Sequence, residues 1–89
     1  MGKTLNIDEL NNLYNEVIDI VNNCNDYYLF TSAGDAEWSK DGSYVSFTVD
    51  FSSSRTGYNW NETWYVYNNG SISGEDRHYD SIDDLRASW

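Results

Sequence analysis

The sequence has little of what many proteins use to cross-link or anchor a fold. It contains one cysteine, Cys24, and no proline, so an internal disulfide is excluded and glycine and asparagine must form the turns. It has no run of about 18 apolar residues, so we expect no membrane-spanning helix. The start of the chain leads into a polar amphipathic stretch and not into the apolar segment of a signal peptide. We therefore expect a protein of the cytoplasm.

Positive charge is also scarce. The 89 residues carry five Lys plus Arg against 15 Asp plus Glu, which gives a formal net charge of -10 at pH 7. Binding to nucleic acid depends on Lys and Arg that neutralise phosphates, so we expect no direct binding to nucleic acid. Asparagine occurs at 11 positions, whereas lysine occurs only at Lys3 and Lys40. Either chance in a short chain or the exclusion of cations from a negative surface accounts for this difference.

The aromatic content and the length indicate a small folded unit. Aromatic residues make up 17% of the chain, and each buried aromatic ring removes a large apolar area from water, which argues against disorder. A chain of 89 residues is typical of a single domain, spanning residues 1–89. No repeat, linker or low-complexity block divides it.

Hydrophobic periodicity predicts the order of elements. Apolar residues recur at helical spacing from about Ile7 to Asn23, with Asn6 or Thr4 as the cap. Alternating or aromatic segments predict strands at Tyr27–Thr31, Ser43–Phe51, about Trp60–Tyr67 and Ser71–Ser73, with Asp35–Trp38 as a continuation or a further short strand. The dipeptides Asp41-Gly42 and Asn69-Gly70 predict hairpin turns. A closing helix is expected after Asp80 or Ser81.

These elements predict an α+β fold. An N-terminal amphipathic helix is expected to pack on an antiparallel sheet of three to five strands, and a short C-terminal helix follows.

Residues that would carry catalysis or hold a metal are few. His78 is the only histidine, and it lies in a polar segment far along the chain from Cys24. One His and one Cys cannot build a usual zinc site, and no phosphate-cradling glycine loop is present. The pair Asp35 and Glu37 resembles an acid and a base, but so small a chain rarely builds the cleft that such a pair needs. We therefore expect no enzyme, no cofactor and no metal.

What remains is an acidic surface interleaved with aromatic residues. A rigid fold with carboxylates on its rim can present a field like that of DNA to a protein with a basic groove. Aromatic anchors would hold such an interface, since Trp and Tyr are enriched at interface hot spots. The candidate contact residues are Asp8, Glu9, Glu16, Asp19, Asp35, Glu37, Asp41, Asp50, Trp60 and Glu62.

The acidic helix face and the acidic positions on strands and loops resemble those of phage-encoded anti-CRISPR proteins and other nucleic-acid-mimic inhibitors. The resemblance is one of type across the whole chain and rests on no motif. It implies an inhibitor in the host cytoplasm that occupies the DNA-binding or PAM-reading groove of a CRISPR effector nuclease. Some such inhibitors act instead by locking dimers or by allosteric capture. We expect a monomer or a small homo-oligomer.

Three other functions stay open at this point. An immunity or antitoxin protein would plug the basic active site of a toxin nuclease by the same electrostatics. A carbohydrate-binding or protein-binding module would use exposed Trp and Tyr, and for a carbohydrate it would show a planar aromatic row. A structural or regulatory phage protein would carry the same acidity without a special role.

Overall fold

A computed structural model describes residues 4–23 and 27–89. Its helices and strands, in chain order, are α1 (Ile7–Asn22), β1 (Leu29–Trp38), β2 (Tyr44–Ser53), β3 (Asn59–Tyr67), β4 (Ile72–Ser73), β5 (His78–Tyr79) and α2 (Ile82–Ser88). The five strands form one antiparallel sheet in the order β1-β2-β3-β4-β5. The predicted α+β fold, with an N-terminal helix and a short C-terminal helix, is confirmed.

Helix α1 begins at a capping box. The Asn6 side chain accepts a hydrogen bond from the Glu9 N–H at 2.8 Å, and the Glu9 carboxylate accepts one from the Asn6 N–H at 3.1 Å. Both bonds satisfy amides that have no partner inside the helix. The buried face of α1 consists of residues at helical spacing, namely Leu10, Val17 and Val21. The helix ends at Asn22, one residue before the predicted end.

The sheet has one covered face and one open face, because side chains alternate along each strand. The core-facing residues of β2 are Val45, Phe47, Val49 and Phe51. The helices pack on this side, where Tyr14 of α1 meets Phe47 edge-on at 5.5 Å between ring centroids. We call the other side the open face, and in β1, β2 and β3 it comprises Phe30, Ser32, Glu37, Tyr44, Ser46, Thr48, Asp50, Ser52, Asn59, Asn61, Thr63, Tyr65 and Tyr67.

Strand β1 is longer than the predicted segment and contains a bulge. Gly34 pairs with Thr48 and Glu37 pairs with Ser46, so one extra residue stands between the two pairs. Asp35, inside the bulge, has a φ of 58°, a left-handed conformation that Asp tolerates better than most residues. The bulge joins the predicted strand and its possible continuation into one element.

The predicted hairpin turns lie where expected. Gly42 and Gly70 have φ values of 73° and 94°, which glycine adopts without strain. The connection at Gly42 runs from residue 39 to residue 43, longer than the tight turn that Asp-Gly favours. The short strand β5 falls in a segment that the sequence predicts as a polar link.

The core fills the space between α1, α2 and the covered face. Its largest buried side chain, Trp64, meets Trp89 of the C-terminal end edge-on, with 5.4 Å between ring centroids. Leu85 of α2 is also buried there. Neither α1 nor α2, the helices of the described residues, has the length and apolarity of a membrane span.

Candidate protein-binding surfaces

The sides of α1 and α2 that face away from the core carry a group of acidic residues, which we call the acidic ridge. It consists of four residues of α1 and two of α2, namely Asp8, Glu9, Glu16, Asp19, Asp83 and Asp84. The apolar stripe of α1 faces the sheet, so the helix period of 3.6 residues turns its acidic residues outward. Four predicted contact residues are thus placed together on one surface.

Arg86 connects the two helices of the acidic ridge. Its guanidinium lies 3.7 Å from Glu16 of α1 and 3.5 Å from Asp83 of α2. All three side chains are at least half exposed, so the pairs contribute little to stability. The position of Arg86 between Glu16 and Asp83 shows that the acidic side of α2 lies next to that of α1.

The four predicted acids of the ridge differ in how open their carboxylates are. The Glu9 carboxylate is engaged in the cap of α1. Asp8 and Asp19 are exposed, and the described contact of the Asp19 carboxylate is a 3.5 Å hydrogen bond from the Asn23 amide. Asp8 and Asp19 are therefore the best positions at which to test the ridge.

Asp35 and Glu37 lie on the edge strand β1, away from the acidic ridge. Both are exposed. Asp35 sits in the bulge, and Glu37 belongs to the open face beside Ser46. The sequence leaves open which acidic face docks. The structure places Glu37 on the side of the sheet opposite α1, and Asp35 in the bulge of the edge strand.

Asp41 organises the turn between β1 and β2. Its carboxylate accepts hydrogen bonds from the Ser43 hydroxyl at 2.6 Å, the Ser43 N–H at 3.0 Å and the Ser39 hydroxyl at 3.0 Å. These bonds, first the one from the Ser43 side chain, hold the pKa of the Asp41 carboxyl below its ordinary value. The carboxylate has a local structural role that sequence spacing alone did not indicate.

Glu62 is buried, so the prediction that it offers a carboxylate at the surface is wrong. Only 8% of the residue is exposed. It shares the covered face with Trp64 and Val66, because the three alternate along β3. Its oxygens accept bonds from Arg77 Nε and Nη2, both at 3.1 Å, and from the indole N–H groups of Trp60 and Trp64, both at 3.0 Å.

These partners keep the buried carboxylate ionised. Burial raises the pKa of Glu62, but the hydrogen bonds from Arg77, Trp60 and Trp64 outweigh burial and leave that pKa below its ordinary value. The Arg77 guanidinium also lies over the Phe51 ring at 5.3 Å and near the rings of Trp64 and Trp89. Arg77 is thus committed to the interior and neutralises none of the acidic ridge.

Trp60 belongs to an aromatic stack on the covered face. Its ring is parallel to that of Phe51, with 4.9 Å between centroids and 1° between planes, and Tyr58 lies 5.6 Å away on the same stack. The residue is half-buried, and its N–H is engaged by Glu62. Of the two, Tyr58 is the more exposed at 64%, so Tyr58 and not Trp60 is the freer aromatic side chain here.

The tyrosines of the open face test the expectation for a carbohydrate platform. The rings of Tyr65 and Tyr67 are nearly parallel, at 16° with 6.0 Å between centroids. Tyr44 is tilted by 66° to Tyr65 and by 57° to Tyr67. The three half-buried rings therefore pack on one another as a cluster and do not form a planar row.

His78 takes part in a chain of hydrogen bonds at the sheet edge. Its Nδ1 lies 3.1 Å from the Ser73 hydroxyl, and its Nε2 lies 3.0 Å from the Asp80 carboxylate. The side chains of His78 and Asp80 are 58% and 87% exposed, so water screens their interactions. The hydrogen bond between His78 and Ser73 links β5 to β4, which is a structural role for this histidine.

The described residues hold no group of three or more His, Cys, Asp or Glu side chains arranged to bind a metal ion. Cys24 lies outside the described residues.

Comparisons of the sequence and structure with protein-family models, with curated proteins and with solved structures give no match.

Arg77 and the second helix are what the site interpretation from sequence missed. Alternation in β3 gives Glu62 the same parity as Trp64, and that signal pointed to a buried carboxylate. No local pattern identified Arg77, 15 residues later, as its partner. Asp83 and Asp84 are not among the contact residues predicted from the sequence, because their position beside α1 is a tertiary feature.

Proposed function

We propose that the protein is a non-catalytic inhibitor that acts in the cytoplasm. It binds the basic nucleic-acid groove of a host-defence nuclease of the CRISPR effector kind and blocks DNA or PAM binding. The observation that carries the proposal is the charge of the acidic ridge. In the part of the chain that the structure describes, α1 and α2 carry six carboxylates, and the ion pairs described for them are those of Arg86 with Glu16 and Asp83.

The dimensions of the ridge suit a groove that binds DNA. Asp8 and Asp19 are separated by about 16 Å along α1, at about 1.5 Å per residue. One DNA strand carries about five phosphates over that length, at about 3.4 Å each. The four acidic residues of α1 supply a similar density of negative charge. Helical scaffolding fixes their positions in advance, which lowers the entropic cost of binding.

The other acidic residues are less suited to this role. Glu62 is neutralised inside the fold, and Asp41 is engaged in its turn. Asp50 lies on the open face, on the opposite side of the sheet from α1. The acidic ridge is therefore the surface at which a basic partner would be attracted, and this attraction should weaken as salt rises.

A competition experiment tests the proposal. A purified CRISPR effector nuclease with its guide RNA is titrated with labelled PAM-containing DNA in the presence of the protein, and fluorescence anisotropy reports bound DNA. We expect displacement of DNA with an inhibition constant that rises between about 50 mM and about 300 mM salt. A panel of effector types is needed, because the acidic ridge favours any partner with a basic groove and does not identify one nuclease.

Matched charge reversals locate the surface. Asp8→Lys with Asp19→Lys should weaken inhibition by about tenfold or more, since each exposed charge contributes through close and steering interactions. Glu75→Lys with Asp76→Lys changes the net charge equally but lies in the β4–β5 connection, and should weaken it by less than about threefold. Equal losses from both pairs, inhibition without loss of bound DNA, or no binding across the panel would contradict the proposal.

A further inference from the structure

The open face carries a depression, lined by polar side chains and by the exposed Phe30, that the acidic ridge does not use. Two neighbouring rows of three side chains cross β1, β2 and β3 to form it. The rows are Phe30–Ser52–Asn59 and Ser32–Asp50–Asn61. Ser52 in the middle of the first row and Ser32 at the β1 end of the second row are small, and the rows enclose a depression of about 480 Å³.

We propose that this depression binds an arginine side chain of a partner protein. Asp50 is its one charged group. Within the part of the chain that the structure describes, the exposed Asp50 carboxylate makes no hydrogen bond and no ion pair. The open face of β1, β2 and β3 contains no Lys or Arg. An unneutralised carboxylate in a protein of net charge -10 favours a cationic ligand and disfavours an anionic one.

Phe30 favours a guanidinium among the possible cations. Its side chain is 65% exposed and stands diagonal to Asp50, because Phe30 pairs with Ser52 and Asp50 pairs with Ser32. Diagonal neighbours in an antiparallel pair are about 7–8 Å apart. A planar guanidinium within about 6 Å of the ring can also donate to a carboxylate at about 2.8 Å, which fits this separation. An ammonium group cannot stack in this way.

Neutral side chains complete the site. The Ser32 hydroxyl and the Asn61 amide oxygen flank Asp50 in the same row, and both can accept guanidinium N–H groups that the carboxylate does not reach. The Ser52 hydroxyl donates to the Asn59 side-chain oxygen at 2.7 Å, which orients the second row. The site thus has several acceptors for the five donors of one arginine.

This inference goes beyond the proposed function, because the depression and the acidic ridge lie on opposite sides of the sheet. A basic partner held at the ridge does not cover Asp50. The site therefore stands or fails independently of the ridge, and it predicts a second attachment point for an arginine-bearing protein segment.

A titration monitored by two-dimensional amide NMR tests the site. The probe is N-acetylarginine amide, and N-acetyllysine amide and methyl glucoside represent the ammonium and saccharide classes. We expect saturable shifts, with a millimolar dissociation constant, in the side-chain amides of Asn59 and Asn61 and the backbone amides around Asp50. Lysine should bind about threefold or more weakly, since it lacks the stacking contribution.

Three variants decide the assignment. Asp50→Asn should weaken the arginine probe about fivefold or more, because the charge-assisted bond is lost. Phe30→Leu keeps apolar bulk and should weaken it about twofold to fivefold. Asp19→Asn removes the same charge from the ridge and should leave the affinity at the depression unchanged within about twofold. Non-saturable shifts, equal effects of Asp50→Asn and Asp19→Asn, equal or tighter binding of lysine, or tighter binding of the saccharide would overturn the proposal.

Discussion

Glu62 shows at the scale of one residue how a protein with so few cations uses them. The carboxylate is surrounded by two indole N–H donors and one guanidinium. The guanidinium is in turn covered by aromatic rings. Each polar group of this cluster is satisfied only while the others are present, because a lone buried charge is strongly unfavourable.

Replacement of Glu62 by glutamine should therefore destabilise the protein. Glu62→Gln keeps the shape of the side chain but leaves Arg77 without its counter-charge. The new glutamine NH2 group would also face the N–H donors of Arg77, Trp60 or Trp64. We expect the free energy of unfolding to fall by about 2 to 4 kcal/mol. The loss is not larger because the Arg77 side chain is 33% exposed, so water partly solvates its unpaired charge. Chemical denaturation followed by tryptophan fluorescence measures this change.

The pH dependence of stability gives the same prediction a second readout. The pKa of Glu62 is lower in the folded protein than its ordinary value, which in unfolded chains is about 4.3. Its stabilisation is thus present above that pH and is lost as the pH falls through the folded pKa. Glu62→Gln should show a shallower loss of stability on acidification below about pH 4.5 than the unchanged protein.

Two controls separate the buried pair from a general loss of charge. Glu75→Gln removes an exposed carboxylate of the same kind and should change stability by less than about 0.5 kcal/mol. Arg77→Met should be as harmful as Glu62→Gln, and the double variant should lose less than the sum of the two. Additive losses would show that Glu62 and Arg77 do not stabilise the fold as a pair.

At the scale of the element, the bulge in β1 is a position where backbone conformation and residue type are in tension. Asp35 has a φ of 58°, which costs an L residue with a Cβ about 1 kcal/mol. Glu37, two residues later, lies in the paired part of the same strand and opposite Ser46. The same substitution at these two positions should therefore have opposite effects.

Asp35→Gly should stabilise the protein by about 0.5 kcal/mol, because glycine adopts positive φ without strain. Glu37→Gly should destabilise it by about 0.5 to 1 kcal/mol, because glycine weakens a strand interior. Both variants lose one carboxylate, so electrostatics cannot explain a difference in sign. Thermal unfolding followed by circular dichroism measures both, and a loss of stability in each variant would contradict the assignment of strain to Asp35.

The elements with strong local signals were those that could be predicted from sequence. Helix α1 has a cap at Asn6 and a regular apolar stripe, and β2 alternates without interruption, so both lie within a few residues of their predicted bounds. The bulge depends on pairing with β2, and β5 is two residues long. Neither has a local sequence signal of its own, which explains why the first strand was predicted too short and β5 was not predicted.

The candidate site was predictable to a similar degree. Helical periodicity correctly grouped Asp8, Glu16 and Asp19 on one exposed side of α1. Whether an acidic residue of a strand lies on the same side of the molecule as α1 depends on the face of the sheet to which its side chain points. Glu62 and Asp50 show the two outcomes, since one is enclosed in the core and the other faces solvent on the far side of the sheet.

At the scale of the whole molecule, negative charge is distributed over both sides of a thin two-layer fold. The chain has 15 acidic residues and five Lys plus Arg. Arg77 is paired with the buried Glu62, and Arg86 lies between Glu16 and Asp83. Folding therefore brings unneutralised carboxylates closer together than they are in the unfolded chain, and the repulsion among them opposes the compact state.

Salt should consequently stabilise this protein. Raising NaCl from about 20 mM to about 200 mM shortens the screening length from about 20 Å to about 7 Å, which weakens repulsion between carboxylates on separate elements. The buried Glu62–Arg77 pair is screened much less. We expect the melting temperature to rise by several degrees, as about 1 kcal/mol shifts a domain of this size by about 4–8 °C.

The double variant Asp8→Lys with Asp19→Lys distinguishes charge repulsion from other effects of salt. It makes the net charge less negative by four units, from -10 to -6, because each replacement exchanges one negative charge for one positive charge. If repulsion is the cause, the variant should show a clearly smaller rise in melting temperature over the same salt range. An identical rise in both proteins would point to ion binding or solvent effects, and a fall in the unchanged protein would mean that its ion pairs outweigh the repulsion. The acidic ridge therefore links the two properties, since the charge that would attract a basic partner is also the charge that destabilises the free protein.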